Sequence, residues 1–227
     1  MALAAVFFDV GETLVDETGV WGRWADWLDV PHLTFFAAIG AAVALGRDRP
    51  QGQRPRPVLH EVLRLVRPDL DFETVMRSRS EAEQVFTLDD LYPDALPTLL
   101  AVRERGCRVG LAANQPAAAE AVLRDSGLPF DWLLISEVAD VHKPDAAFFE
   151  RVVALSGLPA GSIAYVGDRV DNDVLPAHAA GMLAVHVRRG PWGVVQAQWP
   201  GVDCAALRLD SLSELPGRLP ELEAQAR

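Results

Sequence analysis

Polar residues that can do chemistry follow several short apolar runs of this sequence. Asp9, Asn114 and Asp168 each come directly after such a run. Lys143 lies in a loop after a further run, and Asp173 comes five residues after Asp168. In open sheets of parallel strands, ligands bind beyond the carboxyl ends of the strands. If these runs are strands of one such sheet, the five side chains converge on one edge of it.

Three carboxylates and one ammonium at one edge indicate the chemistry to expect. Carboxylates that lie close together repel one another unless a cation lies among them, and oxygen-rich sites of this kind suit Mg²⁺. A metal and a lysine together bind phosphate, and one carboxylate can attack it to form an aspartyl-phosphate. The metal and the lysine neutralise the charge of the transferred group. Mg²⁺ is the only cofactor that this chemistry needs.

The apolar runs must be strands for this arrangement to form. From residue 90 onward, runs of strand length alternate with segments of helical period, which is typical of parallel βαβ units. With the run near the N-terminus, the predicted strands are Leu3–Phe8, Val109–Ala113, Trp132–Ile135, Ile163–Val166, Leu183–Val187 and Ala205–Leu209. Helices are predicted after Pro93, Pro116, Asp145, Asp171 and Ser211. The sequence therefore predicts an α/β fold, with a Rossmann-like parallel sheet and helices on both faces.

The stretch between the first strand and the rest of the sheet has a different character. From Val15 to about Leu88 no strand pattern is present, and the segment is typical of several helices. Its apolar stretch Leu33–Leu45 is shorter than the ~20 residues that a membrane-spanning helix needs, so we interpret it as a core helix. We predict an α/β core domain from residues 1–14 and 89–227, with an α-helical domain inserted at residues 15–88.

The composition disfavours several classes of protein. The 227 residues carry 21 Lys+Arg against 32 Asp+Glu, a formal net charge of −11, so no nucleic-acid partner is expected. The apolar N-terminus meets Asp9 too early for a signal peptide or a membrane span, so no membrane contact is expected. Cys107 and Cys204 form neither a disulfide framework nor a zinc motif, which favours a cytoplasmic location. A monomer and a homodimer are both compatible with the sequence.

Three motifs, in this order, carry a resemblance to a known family. They are Asp9–Leu14 (DVGETL), Lys143–Asp145 (KPD) and Gly167–Asp173 (GDRVDND). Together with the helical insert, they resemble the haloacid dehalogenase (HAD) superfamily over essentially the whole chain. The resemblance implies a HAD-like hydrolase in which residues 15–88 are a cap domain that closes over the site and selects the substrate.

The resemblance also implies a role for each site residue. Asp9 is expected to be the nucleophile and a Mg²⁺ ligand, and Asp168 a second ligand. Asp173 is expected to bind the metal, or to hold the metal waters and Lys143. Lys143 is expected to pair with Asp9 and with the phosphate. From the residues alone, Asp173 is also compatible with a structural role at a helix N-terminus.

Gly11 departs from the pattern of the family's phosphatases. Most of them carry a second aspartate two residues after the nucleophile, as acid and base for the leaving group and the attacking water. The backbone carbonyl of Gly11 can still bind Mg²⁺. The proton transfer that the side chain of the second aspartate performs is lost. Because a positioned acid or base contributes about 10²–10⁴-fold, we expect slow hydrolysis of poor leaving groups unless Glu12, Asp16 or a cap residue substitutes.

The second motif of the family departs as well. Its strand end usually carries Ser or Thr to hold phosphate, whereas this sequence has Ala113 followed by Asn114 and Gln115. We expect Asn114, Gln115 or backbone N–H groups to bind the phosphate instead.

Three functions remain open from the sequence. The first is a Mg²⁺-dependent hydrolase acting on a phosphate ester or anhydride of a small metabolite through Asp9. The second is a HAD-like protein that has lost efficient turnover and serves as a binding or interaction module, as Gly11 and Ala113 suggest. The third, metal-free dehalogenation of a 2-haloacid, ranks last. The dehalogenase branch lacks the metal-binding motif that Gly167 and Asp168 supply, and it usually has an aromatic residue in place of Gly11.

A stripe of tryptophans adds a question about the substrate. Trp21, Trp24 and Trp27 recur at a spacing of three in the insert. Such a stripe lies close to one helical face and more often packs in a core than lines a ligand site, so packing is the favoured interpretation. If the rings face the site, they favour an apolar or aromatic substrate.

Overall fold

The computed structural model describes residues 2–48, 57–78 and 85–226, and a parallel sheet lies at its centre. Six strands form this sheet in the order β3-β2-β1-β4-β5-β6. They are β1 (Ala5–Phe8), β2 (Arg108–Ala113), β3 (Trp132–Ile135), β4 (Ile163–Gly167), β5 (Leu183–Val187) and β6 (Leu207–Leu209). The predicted α/β fold is confirmed, although β1 and β6 each begin two residues later than predicted.

The first strand of the chain takes a central place in the sheet. β1 pairs with β2, where Ala5 lies opposite Arg108, and with β4, where Ala5 lies opposite Ile163. All four of its side chains are apolar and buried, as expected of a strand covered on both faces. Successive residues point to opposite faces, so Val6 packs in one apolar cluster and Phe7 in another.

Helices cover both faces of the sheet. The α-helices of the described residues are α1 (Thr18–Trp27), α2 (His32–Leu45), α3 (Val58–Val66), α4 (Phe72–Ser78), α5 (Ala95–Glu104), α6 (Ala118–Asp125), α7 (Ser136–Ala139), α8 (Ala146–Ser156), α9 (Leu175–Ala179), α10 (Gly190–Gln196) and α11 (Leu215–Glu223). Leu99 of α5 and Leu219 of α11 pack in one cluster, and Phe148 of α8 and Ala177 of α9 pack in the other. The sequence did not predict α7 and α10, because α7 is a single turn and α10 begins with Gly-Pro.

The helical insert, residues 15–88, contains α1 to α4, and its described part contains no strand. Residues 49–56 and 79–84 of the insert lie outside the described residues. Across the described ranges, no single helix has the length and apolar character to cross a membrane; α1 and α2 reach that length only as a pair bent by 114°. The domain boundaries at residues 14/15 and 88/89 stay a prediction.

The chain enters and leaves the insert at adjacent points. The N–H of Asp16 donates to the carbonyl of Asp90 at 2.8 Å, and the N–H of Tyr92 donates to the carbonyl of Leu14 at 2.9 Å. The two connections therefore run side by side, close to the end of β1 and to Asp9.

Candidate active site

Two neighbouring strand ends hold Asp9 and Asp168. Asp9 directly follows β1, and its backbone N–H donates to the carbonyl of Val166 in β4 at 2.8 Å. Asp168 directly follows β4, and its carbonyl lies 2.9 Å from Nε2 of His186 in β5. Both aspartates are buried. Backbone contacts across the sheet thus fix the position from which each carboxylate enters the site.

Asp173 reaches the same site from a single π-helical turn, Val170–Val174. Its Oδ2 atom accepts a hydrogen bond from the N–H of Arg169 at 3.0 Å. A Cβ atom at Gly167 would overlap the Asp173 carboxyl group, so the close approach requires glycine at that position. Single π-helical turns such as Val170–Val174 occur frequently at functional sites.

Lys143 joins two of these carboxylates. Its Nζ atom lies 2.7 Å from Asp9 Oδ1 and 2.6 Å from Asp173 Oδ1, and its side chain is 1% exposed. Burial alone would lower the pKa of Lys143, but Asp173 and Asp9 outweigh it and hold the pKa well above its usual value. It is also the only lysine of the sequence, which otherwise uses arginine. The lysine ammonium is a compact point charge with three donors, so a single nitrogen contacts both carboxylates.

Asp9, Asp168 and Asp173 can surround one cation. Each offers one carboxylate oxygen, and these oxygens lie within 4.8 Å of one another. Asp168 Oδ2 is buried and, among the described residues, has no hydrogen-bond partner. Burial, reinforced by Asp173 and Asp9, raises the pKa of Asp168 well above its usual value, and burial raises the pKa of Asp173 to about 6. Three closely spaced carboxylates, one of which has a buried oxygen without a partner among the described residues, fit Mg²⁺.

We expect Mg²⁺ to stabilise the folded protein through these carboxylates. At a hundredfold excess over its Kd, a ligand adds about 2.7 kcal/mol, which corresponds to a rise in Tm of about 5 °C or more for a chain of this size. Asp168→Asn should raise Tm in EDTA, because it removes one of three repelling charges, and should abolish most of the rise with Mg²⁺. Thermal unfolding with and without Mg²⁺ measures both effects. Asp210→Asn, at an exposed position, is the matched control, and an equal Mg²⁺ response in all three proteins would contradict this site.

Asn114 follows β2, but its side chain faces the backbone of Lys143. Its Nδ2 donates to the Lys143 carbonyl at 2.9 Å, and its Oδ1 accepts from the Lys143 N–H at 2.8 Å. Asn114 thus holds the lysine loop against the sheet. The N–H of Gln115 donates to Ser136 Oγ at 3.1 Å, and its Nε2 donates to Glu17 Oε1 at 3.3 Å. Phosphate binding by Asn114 and Gln115 stays a prediction.

Glu12 and Asp16, the two named candidates for a replacement acid or base, serve the connection to the insert. Glu12 Oε1 accepts from the N–H of Glu17 at 3.0 Å, and Glu12 Oε2 accepts from the hydroxyl of Tyr92 at 2.8 Å. Burial raises the pKa of Glu12. Asp16 Oδ1 accepts from the N–H of Thr18, the first residue of α1, at 2.8 Å.

Glu17 was not singled out from the sequence, yet its carboxylate lies in the site. A Cβ atom at Gly11 would overlap Glu17 Oε1 and would lie 2.8 Å from Glu17 Cδ. Burial, reinforced by Glu12, raises the pKa of Glu17 to about 7. The sequence did contain a signal for it, because Glu17 is the third carboxylate after Asp9, following Glu12 and Asp16. Gly11 itself lines the same cavity, and metal binding by its carbonyl stays a prediction.

A cavity of about 360 Å³ opens above the carboxylates. Part of its lining is polar and includes Asp9 and Lys143. Another part is apolar, and its side chains come from the insert and from α10: Val20, Trp21, Trp24, Leu59, Phe72, Met76 and Trp192. Trp24 is also buried in the core, whereas Trp27 is 43% exposed, so the packing interpretation of the stripe is wrong for Trp27.

The sheet, the helical insert after its central strand and the buried carboxylates with their lysine together define a class of hydrolase. The model of the haloacid dehalogenase-like hydrolase family matches residues 3–181 of the chain. The protein belongs to this family, and the resemblance noted in its motifs is confirmed.

Individual relatives agree with this assignment. A glyceraldehyde 3-phosphate phosphatase of Methanopyrus kandleri is 36% identical over 105 residues, which cover 44% of this chain and 45% of the relative. For several such relatives the chain spans about half of their length. A phosphoglycolate phosphatase of Pseudomonas savastanoi pv. phaseolicola is 30% identical over 206 residues, covering 82% of this chain and 69% of the relative.

A solved structure matches the fold. The HAD-hydrolase YfnB of Bacillus subtilis, solved bound to magnesium, superposes with a TM-score of 0.71 at 15% identity. The match covers 96% of this chain and 99% of that one. At this level of identity, the similarity concerns the fold alone.

Proposed function

We propose that this protein is a Mg²⁺-dependent phosphatase that hydrolyses a phosphate ester or anhydride of a small molecule through an aspartyl-phosphate at Asp9. One observation carries the proposal: the Asp9 carboxylate lies 2.7 Å from a buried ammonium and within the reach of one cation shared with Asp168 and Asp173. Relatives named as phosphatases support it. In a metal-free dehalogenation, by contrast, Lys143 alone would face three buried carboxylates.

Each side chain has a definable task in this reaction. Lys143 orients Asp9 by its contact with Oδ1, and it neutralises the phosphoryl group that Asp9 attacks. Asp173 fixes Lys143 from the other side at 2.6 Å. Asp9, Asp168 and Asp173 would hold Mg²⁺, which when bound would supply positive charge to the phosphate oxygens. The insert closes the cavity against water, which strengthens all of these interactions.

The cavity also indicates the organic part of the substrate. Besides the polar residues, the lining consists mostly of aromatic and aliphatic side chains of the insert. A phosphate group therefore binds at the carboxylates while an apolar or aromatic group contacts these side chains. We propose small aryl and alkyl phosphates as preferred substrates.

Phosphate release from a panel of esters tests the proposal. The panel contains p-nitrophenyl phosphate, benzyl phosphate, an alkyl phosphate and phosphoglycolate, each with Mg²⁺ and with EDTA. We expect Mg²⁺-dependent release, with benzyl phosphate hydrolysed faster than phosphoglycolate. An enzyme that released no phosphate from any ester, or released it equally well in EDTA, would contradict the proposed function.

Phe72→Ala tests the apolar part of the lining separately. Removing a ring from a hydrophobic pocket costs on the order of tenfold or more in discrimination, so KM for benzyl phosphate should rise about tenfold. KM for phosphoglycolate should change little, because that substrate has no large apolar group to pack on the ring. Leu65→Ala is the matched control, since Leu65 is 51% exposed on α3. Steady-state kinetics with both substrates measure the difference, and an equal change in KM for the two would overturn the assignment.

A further inference from the structure

Hydrolysis through Asp9 needs a proton for the leaving oxygen and a base for the attacking water. Among the described residues, the titratable side chains that line the cavity are Asp9, Glu12, Glu17, Lys143, Asp168 and Arg169. The ion pairs and the metal cluster already occupy Asp9, Lys143 and Asp168. Arg169 donates from Nε and Nη2 to both carboxylate oxygens of Asp171, at 3.1 and 2.9 Å. Two glutamates are left.

Glu12 is held as a structural residue. Both of its carboxylate oxygens accept hydrogen bonds, one from the N–H of Glu17 and one from the hydroxyl of Tyr92. The residue is 4% exposed, and a Cβ atom at Gly190 would overlap its Oε2. Its carboxylate is therefore packed into the connection between core and insert.

Glu17 has a different environment. Its Oε1 accepts from Gln115 Nε2 at 3.3 Å and its Oε2 accepts from Trp21 Nε1 at 3.2 Å. These two neutral donors orient the carboxylate and leave each oxygen a further acceptor position. The carboxylate rests against Gly11, in the space that a side chain at that position would fill. Gly11 lies two residues after Asp9, so the Glu17 carboxyl group occupies the space that a side chain two residues after the nucleophile would fill.

We propose that Glu17 is a catalytic residue that carries the proton in both halves of the reaction, an inference that rests on the proposed function. As Asp9 forms its bond to phosphorus and the bond to the leaving oxygen breaks, the Glu17 carboxyl gives its proton to that oxygen, and the alcohol leaves. The Glu17 carboxylate then takes a proton from water. The water oxygen bonds to phosphorus, the bond to Asp9 breaks, and inorganic phosphate leaves with Asp9 and protonated Glu17 restored.

Glu17→Gln tests this role through its dependence on the leaving group. For an alkyl phosphate, whose alkoxide needs a proton, kcat should fall by about 10²–10⁴-fold. For p-nitrophenyl phosphate, whose phenolate leaves unaided, the first half of the reaction should be nearly unchanged. Because the second half still lacks its base, p-nitrophenol should appear in a burst equal to the amount of enzyme. Intact mass should then show a chain that is heavier by one phosphoryl group.

Asp16→Asn is the matched control, because Asp16 is the neighbouring carboxylate and does not line the cavity. It should keep the wild-type ratio between the two substrates. If Glu17→Gln slows both substrates equally and no phosphoryl-enzyme accumulates, Glu17 has only a structural role and this inference fails alone. If the wild type hydrolyses no ester at all, the proposed function fails and takes this inference with it.

If Glu17→Gln does not fold, a second pair of variants tests the inference by moving the carboxylate from position 17 to position 11. Glu17→Ala empties the space beside Gly11. Gly11→Asp in that background supplies a carboxyl group to the same space from position 11. We expect the double variant to hydrolyse the alkyl phosphate faster than Glu17→Ala does. A folded double variant that shows no such recovery would overturn the inference.

Discussion

Asp9→Asn is expected to lower kcat for every phosphate ester by on the order of 10⁴-fold or more, the scale of loss found when a nucleophile is removed. An amide is nearly the size of a carboxylate but cannot form the aspartyl-phosphate. Mg²⁺-dependent phosphate release measures the loss. Intact mass measures the same step independently, because no phosphoryl group should be trapped on the variant.

The fold should survive this change. Asp9→Asn removes one of the buried carboxylates, and Lys143 keeps its partner Asp173 at 2.6 Å. Far-UV circular dichroism and thermal unfolding should therefore resemble those of the wild type. Glu12→Gln is a useful comparison, because it alters a buried carboxylate outside the metal cluster. A folded Asp9→Asn chain that retained wild-type turnover would exclude Asp9 as the nucleophile.

Lys143→Met is expected to produce the largest loss of stability. Removing one partner of a buried ion pair costs about 3–5 kcal/mol, because the remaining charge has no compensation. Here two partners, Asp9 and Asp173, would lose their cation while Asp168 adds repulsion. The free energy of unfolding in EDTA, measured by urea titration, should fall by this amount. Mg²⁺ should restore part of it, since the ion then neutralises the same carboxylates.

Arg124→Met is the matched control for that experiment. Arg124 Nη2 lies 2.6 Å from Glu120 Oε1, as close as Lys143 is to Asp173, but its side chain is 58% exposed. Exposed pairs contribute about 0–1 kcal/mol, so this variant should be nearly as stable as the wild type. A Lys143→Met protein that was as stable as Arg124→Met would show that the buried ammonium does not compensate the carboxylates.

The sequence predicted the sheet well because parallel strands that are buried on both faces are short continuous apolar runs. It also predicted which side chains the strand ends bring together. Four of these side chains meet in the structure: Asp9, Lys143, Asp168 and Asp173. They do so because each motif follows a strand of the parallel sheet, and the order of the strands brings the motifs to one edge.

Other features depend on side-chain direction, which a motif does not contain. The sequence did not predict that the Asn114 amide nitrogen and oxygen both bond to the backbone of Lys143. Phosphate binding by Asn114 stays a prediction. Glu17 was overlooked because its carboxylate reaches the site only when the start of α1 folds back onto Gly11. The cytoplasmic location and the choice between monomer and homodimer stay predictions from composition.

The position of β1 has a consequence for how the chain folds. This strand precedes the rest of the core in sequence, but its two neighbours in the sheet begin at Arg108 and Ile163. Closing such long loops costs chain entropy before the free energy of strand pairing compensates for it, and this slows folding. The side-by-side connections at Leu14 and Tyr92 reduce that cost, because a folded insert delivers β2 close to β1. During synthesis, Asp9 is therefore made well before Asp168 and Asp173, and it meets them only after the later strands have formed.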